Sequence, residues 1–386
     1  PSFRPCRSAP LNENEPLPEA PAVFPSASLP ESEPARPTLR RLFFGDDGLR
    51  AGWSFLLFIL MVAFLILLVN LTIRHFHLIP KTPKRAPGEP ADPISFRVNF
   101  TVEMLSFLAF FVPALIMSFI EKRPFRRYGF NSARFLPDLL MGIFWGLMAL
   151  SGLVATLFFT HHLAFDDRLL HGTPMLLAGA KWLAFFCFVG LAEEFQTRGY
   201  IQYTVSRGVA GIARAMDPNF RHSHAVGFWV SAFLFSILLF MAGHLANPGE
   251  TLTGILAVGG AGAVFAFSLY RTGSLWWAIG FHTAWDWAQS FLYGVPDSGM
   301  MVKEHLFATH PLANPLYSGG TTGPEGSVFV LPAFLFIALI IHFTLPRRSY
   351  PLTPDQSPPP PKPPSWTLAD HQLTASGEHG QSMPNI

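Results

Sequence analysis

Charge is scarce in this sequence. Only 13% of its 386 residues are Asp, Glu, Lys or Arg, against about 25% in an ordinary soluble chain. A surface facing water on every side could not be coated with so little charge, which argues against a soluble enzyme. The 27 Lys and Arg against 25 Asp and Glu leave a formal charge of +2, so there is no basic excess of the kind a nucleic-acid partner requires. Cysteine is almost absent. Cys6 and Cys187 are too few for a disulfide scaffold or a thiolate metal cluster. Cys187 lies in an apolar run without a basic neighbour and reads as an inert buried thiol.

Apolar residues are abundant, at 50%. The 36 prolines would disrupt a helical membrane protein if evenly spread, but they gather at the two ends. Residues 1–48 are rich in Pro, Ser and Glu and show no apolar period. Residues 349–386 include Pro358–Pro361, Pro363 and Pro364. Both read as disordered tails, because they bury too little apolar surface to offset ordering entropy. The chain opens on Pro1 with no charged-then-apolar signal segment.

Residues 49–348 hold eight apolar runs near the roughly 20 residues that span a bilayer. They are approximately Trp53–Ile73, Phe100–Ile120, Phe135–Thr160, Trp182–Tyr203, Val226–His244, Leu252–Tyr270, Leu275–Tyr293 and Val328–Leu345. Backbone groups in lipid must be satisfied within the segment, so each is expected to be helical. The expected fold class is all-α, a polytopic membrane protein of about eight transmembrane helices. Arg36, Arg40, Arg41 and Arg50 precede the first run, Lys122, Arg123, Arg126, Arg127 and Arg134 follow the second, and Arg207, Arg214 and Arg221 follow the fourth. Arg271 follows the sixth and Arg347 and Arg348 the eighth. The positive-inside rule then puts both termini in the cytoplasm. The loop with Arg74, Lys81, Lys84, Arg85 and Arg97 is the exception. Gly254, Gly259, Gly260 and Gly262 in the sixth run have no strand before them, as a nucleotide loop would need. They read as sites of close helix packing.

Most runs carry no charge. The fourth holds Glu193, Glu194 and Arg198, the seventh His282 and Asp286, and the fifth closes with His244. A charged side chain at mid-bilayer costs about 2.5–3.5 kcal/mol even on lenient scales. Such residues are therefore expected to meet in a wet cavity. Glu194 and Arg198 are four apart and share a helical face, as do His282 and Asp286 and also Phe240 and His244. Glu193 is turned about 100° from Glu194 and points elsewhere. Glu103 and His342 lie nearer run ends and read as structural. His161, His162, His171, His222 and His224 sit in loops without a metal-ligand pattern.

Glu193-Glu194-Phe195-Gln196-Thr197-Arg198 resembles the EExxxR motif of the CPBP intramembrane proteases, the Abi-type relatives of the CAAX prenyl endopeptidases. Phe240–His244 resembles that family's FxxxH motif, and His282–Asp286 its HxxxN/D motif. The three occur in the family's order over roughly residues 130–295. The resemblance implies an intramembrane endopeptidase with Glu193 as general base and His244 and His282 completing the site. It further implies a peptide or protein substrate, lipidated if the processing is of CAAX type. Asp286 stands where the prenyl-peptidase branch often has Asn. An ionised Asp cannot donate to an oxyanion, so Asp286 is left to be protonated, to bind metal or to orient His282.

Two mechanisms follow. In one, Glu193 takes the proton from water and Arg198 neutralises Glu194. In the other, a divalent metal such as zinc is held by Glu193, His244 and His282 or Asp286, with water in the open position. Without HExxH the sequence does not choose between them. Two rival readings remain: a proton- or ion-coupled transporter, which also uses intramembrane carboxylates and histidines, and a non-catalytic scaffold that keeps the protease fold. In a bacterium the location would be the inner membrane.

Overall fold

The computed structural model describes residues 42–45, 48–77, 94–131, 134–247, 249–346 and 350. The expected tails, apart from residues 42–45, 48 and 350, lie outside the described residues, as do Lys81, Lys84, Arg85, Arg347 and Arg348. All described residues but Leu42 fall in one compact unit that begins at Phe43. A short antiparallel pairing of Phe44–Gly45 with Gly48–Leu49 opens it, and the expected tail boundary at residue 48 falls inside this hairpin.

The helices follow in order: α1 Ala51–Phe76, α2 Phe96–Ile120, α3 Phe135–Phe159, α4 Gly172–Arg198, α5 Tyr200–Met216, α6 Ser223–His244, α7 Leu252–Thr272, α8 Trp276–Trp287 and α9 Val330–Thr344. All eight apolar runs fall on helices. Six candidate spans are long and apolar enough to cross a membrane: α1, α2, α3, the α4–α5 pair, α6 and α7. α8 and α9 are shorter. The fourth run is longer than expected and broken. Gly199 ends α4, and a Cβ there would strike the ring and carbonyl of Phe195, so α5 departs in a new direction. Between α3 and α4, strand β1 Leu163–Arg168 pairs antiparallel with β2 Phe307–Pro311.

α8 is the centre of the bundle. Trp277 through Asp286 are buried on every face, which marks a helix enclosed by others rather than one with a single apolar stripe. Trp277, Phe281 and Trp285 recur every fourth residue and stack with ring centroids 5.2 and 5.7 Å apart. α3 crosses α8 closely because Gly142, Gly146 and Gly280 lie at the contact. A Cβ on any of them would meet backbone of the facing helix. Gly262 on α7 is likewise pressed on the carbonyl of Ser236 in α6, as expected for small residues at helix crossings. Outward faces are apolar and exposed, including Leu60, Phe64 and Leu67 on α1. Cys187 is among the exposed residues. That corrects the expectation of a buried thiol, since an apolar run does not reveal which of its faces meets a neighbour.

Candidate active site

α4, α6 and α8 deliver the ionisable residues to one place. Glu194 and Arg198, one turn apart on α4, form an ion pair at 2.9 Å with both side chains wholly buried. Arg198 also donates to Thr197 Oγ1 at 2.9 Å and to the Ser236 carbonyl at 3.2 Å. Its guanidinium lies between the rings of Phe240 and Phe265, at 4.8 and 5.1 Å from their centroids. A planar cation stacked between aromatics loses less on desolvation than a compact ammonium would.

The same Glu194 Oε1 accepts from His282 Nδ1 at 3.2 Å. Glu194 thus fixes the imidazole as well as the arginine, a link between α4 and α8 that sequence spacing could not supply. Stacking on Phe265, with centroids 5.3 Å apart and planes 24° apart, sets the ring orientation. His282 Nε2 is then turned toward Asp286 Oδ2 at 3.3 Å and Glu193 Oε2 at 3.8 Å. Glu193 Oε2 makes no protein hydrogen bond. His244 Nδ1 donates to the Phe240 carbonyl at 2.9 Å, leaving Nε2 for the cavity.

Glu193, His244, His282 and Asp286 all line one cavity, partly open to its surroundings. Its apolar walls include Phe185, Phe240, Trp285 and Phe334. The site is framed by two π-helical stretches, Ala232–Leu239 just before Phe240 and Ala288–Leu292 just after Trp287. Such wide turns are common at functional sites. Here the first contains Ser236, whose carbonyl receives Arg198.

Three carboxylates outside the motifs also line the cavity. Glu103 comes from α2, and Asp297 and Glu325 from the segment between α8 and α9. Burial pushes the carboxyls of Asp297 and Glu325 up from the usual range; the nearby charges of Asp286 and then Glu325 raise Asp297 further, and that of Glu250 raises Glu325. Ser290 donates to Asp297 at 3.1 Å, and the Ser298 hydroxyl to Glu325 at 3.0 Å. Glu103, read as structural from its position in the run, is a cavity residue. The usable signal was its spacing: Asn99 and Glu103 are four apart, share a face, and both line the cavity.

The side chains do not present a ready metal set. Among the described residues no group of three or more His, Cys, Asp or Glu is arranged to hold an ion. His282 Nδ1 is committed to Glu194, so His282 would offer an ion only Nε2, which faces Asp286 and Glu193.

Residues 175–288 match the family model for type II CAAX prenyl endopeptidases, Rce1-like. The match runs from α4 to α8 and includes Glu193, Glu194, Arg198, His244, His282 and Asp286. This segment, under a third of the chain, matches the CPBP/CAAX protease family. The family supports a CAAX-type intramembrane protease, acting on a peptide or protein. With the six span-length apolar helices, it supports an integral multi-pass membrane protein. Comparison with curated proteins and with solved structures gives no match. α1, α2, α3 and α9 lie outside the Rce1-like segment, yet α2 reaches the cavity through Asn99 and Glu103.

Proposed function

We propose that this chain hydrolyses a peptide bond inside the membrane, with Glu193 as the general base and no metal in the reaction. The observation that carries the reading is the placement of Glu193 Oε2, free of any protein hydrogen bond and 3.8 Å from His282 Nε2, in a cavity that His244 and Asp286 also line. Glu193 takes a proton from water as the oxygen attacks the carbonyl carbon. His282, held among Glu193, Glu194 and Asp286, donates from Nε2 to the developing oxyanion. His244 Nε2 accepts from the attacking water and keeps it in line. Asp286 orients His282 and has no oxyanion role of its own. Glu194 and Arg198 are positioning residues, since they act through His282 and through the packing of α4 on α6.

The aromatic and aliphatic walls suit a lipidated peptide as substrate, in keeping with the family's CAAX prenyl activity. The Lys and Arg placement supports both termini on the cytoplasmic side, in the inner membrane if the source is bacterial.

The test uses purified full chain in nanodiscs and a farnesylated CAAX peptide, with membrane peptidomes of cells carrying wild-type or Glu193→Ala protein to reveal native products. Glu193→Gln and His282→Ala are expected to lose about 10²–10⁴-fold in kcat, while full chelation leaves wild-type activity intact. Full activity in Glu193→Gln would sink the reading. Loss on chelation, restored by zinc, would overturn its metal-free form.

A further inference from the structure

Peptide hydrolysis requires a proton for the leaving amine as well as a base for water. The Rce1-like segment supplies the base, but α2, outside that segment, carries a further carboxyl at the same level. α2 and α4 run parallel with a register set by their contacts. Phe100 packs on Phe188, with centroids 5.2 Å apart, and Gln196 donates to Ser106 at 3.2 Å. Glu103 lies between these two contacts along α2, as Glu193 lies between Phe188 and Gln196 along α4. Asn99, Glu103 and Ser106 share one helical face by their spacing of four and three, and that face carries Glu103 into the cavity wall. Its carboxyl makes no hydrogen bond and no ion pair among the described residues, yet it is near enough to interact electrostatically with Glu193 and His282. A carboxyl in an apolar span, costly to retain, has no structural partner here that would explain it.

We propose that Glu103 is a second catalytic carboxyl, the general acid that protonates the leaving amine while Glu193 serves as base. The inference rests on the reading of Glu193 given above. Glu193 takes one proton from water, and the water oxygen forms the new C–O bond as the carbonyl electron pair moves to oxygen. When the C=O bond re-forms, the C–N bond breaks. Its electron pair on nitrogen takes the proton of the Glu103 carboxyl. Glu103 regains a proton from Glu193 through cavity water, so that one amide and one water become one acid and one amine. Two carboxyls facing one cavity hold a shared proton more easily than two charges.

Leaving-group dependence tests the assignment. Full-length protein in nanodiscs is given a farnesylated CAAX peptide and the matching aryl ester, whose phenolate departs without a proton. Glu103→Gln is isosteric and removes no packing. It is expected to lower amide cleavage by about 10²–10⁴-fold, to leave ester cleavage almost unchanged, and to abolish the alkaline limb of the amide pH profile. Equal loss on both probes, or no loss on either, overturns the proposal. Glu193→Gln must lose both probes. If it does not, the base reading fails, while the amide-to-ester split in Glu103→Gln still reports on Glu103. Coupling is also read without substrate, by infrared pH titration of the purified protein. A carboxyl C=O band absent in Glu103→Gln should titrate at a different pH in Glu193→Gln. A band indifferent to Glu193→Gln overturns the proposal even if neither probe is cleaved.

Discussion

Glu194 carries two bonds on one oxygen, to Arg198 and to His282. Losing either partner has a different consequence. Arg198→Gln leaves a buried carboxylate without its counter-charge, an error worth about 3–5 kcal/mol in buried pairs. We expect a markedly lower unfolding temperature in detergent, together with loss of cleavage because Glu194 no longer holds His282. A variant with unaltered thermal stability would show that the pair is not buried in the folded protein. The i,i+4 spacing exposed this pair in the sequence, because both residues lie on one helix and its geometry is local. The Glu194–His282 bond was not legible, since it joins residues 88 apart. Asp297 and Glu325 were overlooked for a related reason. They sit in a segment without period, and only the chain's path over the cavity gives them neighbours.

At the scale of elements, α8 depends on close approach to α3. At Gly280 an added Cβ would meet the carbonyl of Leu139 and the amide of Ile143, neither of which can rotate away. Gly280→Ala is expected to destabilise by about 1–3 kcal/mol and to lower kcat, because His282 stands two residues along and moves with the helix. Gly152→Ala on α3 meets nothing within 4 Å and should leave both quantities unchanged or slightly improve stability. Thermal unfolding and cleavage measured on both variants separate crowding at the crossing from a general intolerance of α3 and α8. Apolar periodicity revealed that these helices exist. It did not reveal that the fourth run is broken at Gly199, or that α6 and α8 widen into π turns beside the motif residues.

For the whole molecule, the arrangement of spans predicts which loops face which compartment. The loop joining α5 to α6 should be cytoplasmic and the β1–β2 sheet should lie on the opposite side. In a Cys6→Ser background, an impermeant thiol reagent added to spheroplasts should label Asp167→Cys on exposed β1. Asn219→Cys, exposed between α5 and α6, should be labelled only after permeabilisation. Cys187, exposed on the apolar outer face of α4, should resist the reagent in both states. The reverse pattern would invert the orientation.

Low charge, apolar length and the order of three short motifs were enough to determine a helical membrane protein with ionisable residues on α4, α6 and α8, since each is a property of chain stretches shorter than one helix. Tertiary structure alone decided that Glu194 serves two partners, that Glu103 joins the wall and that Cys187 faces outward. Those facts depend on helix rotation and register against a neighbour, and packing sets both through groups far apart along the chain.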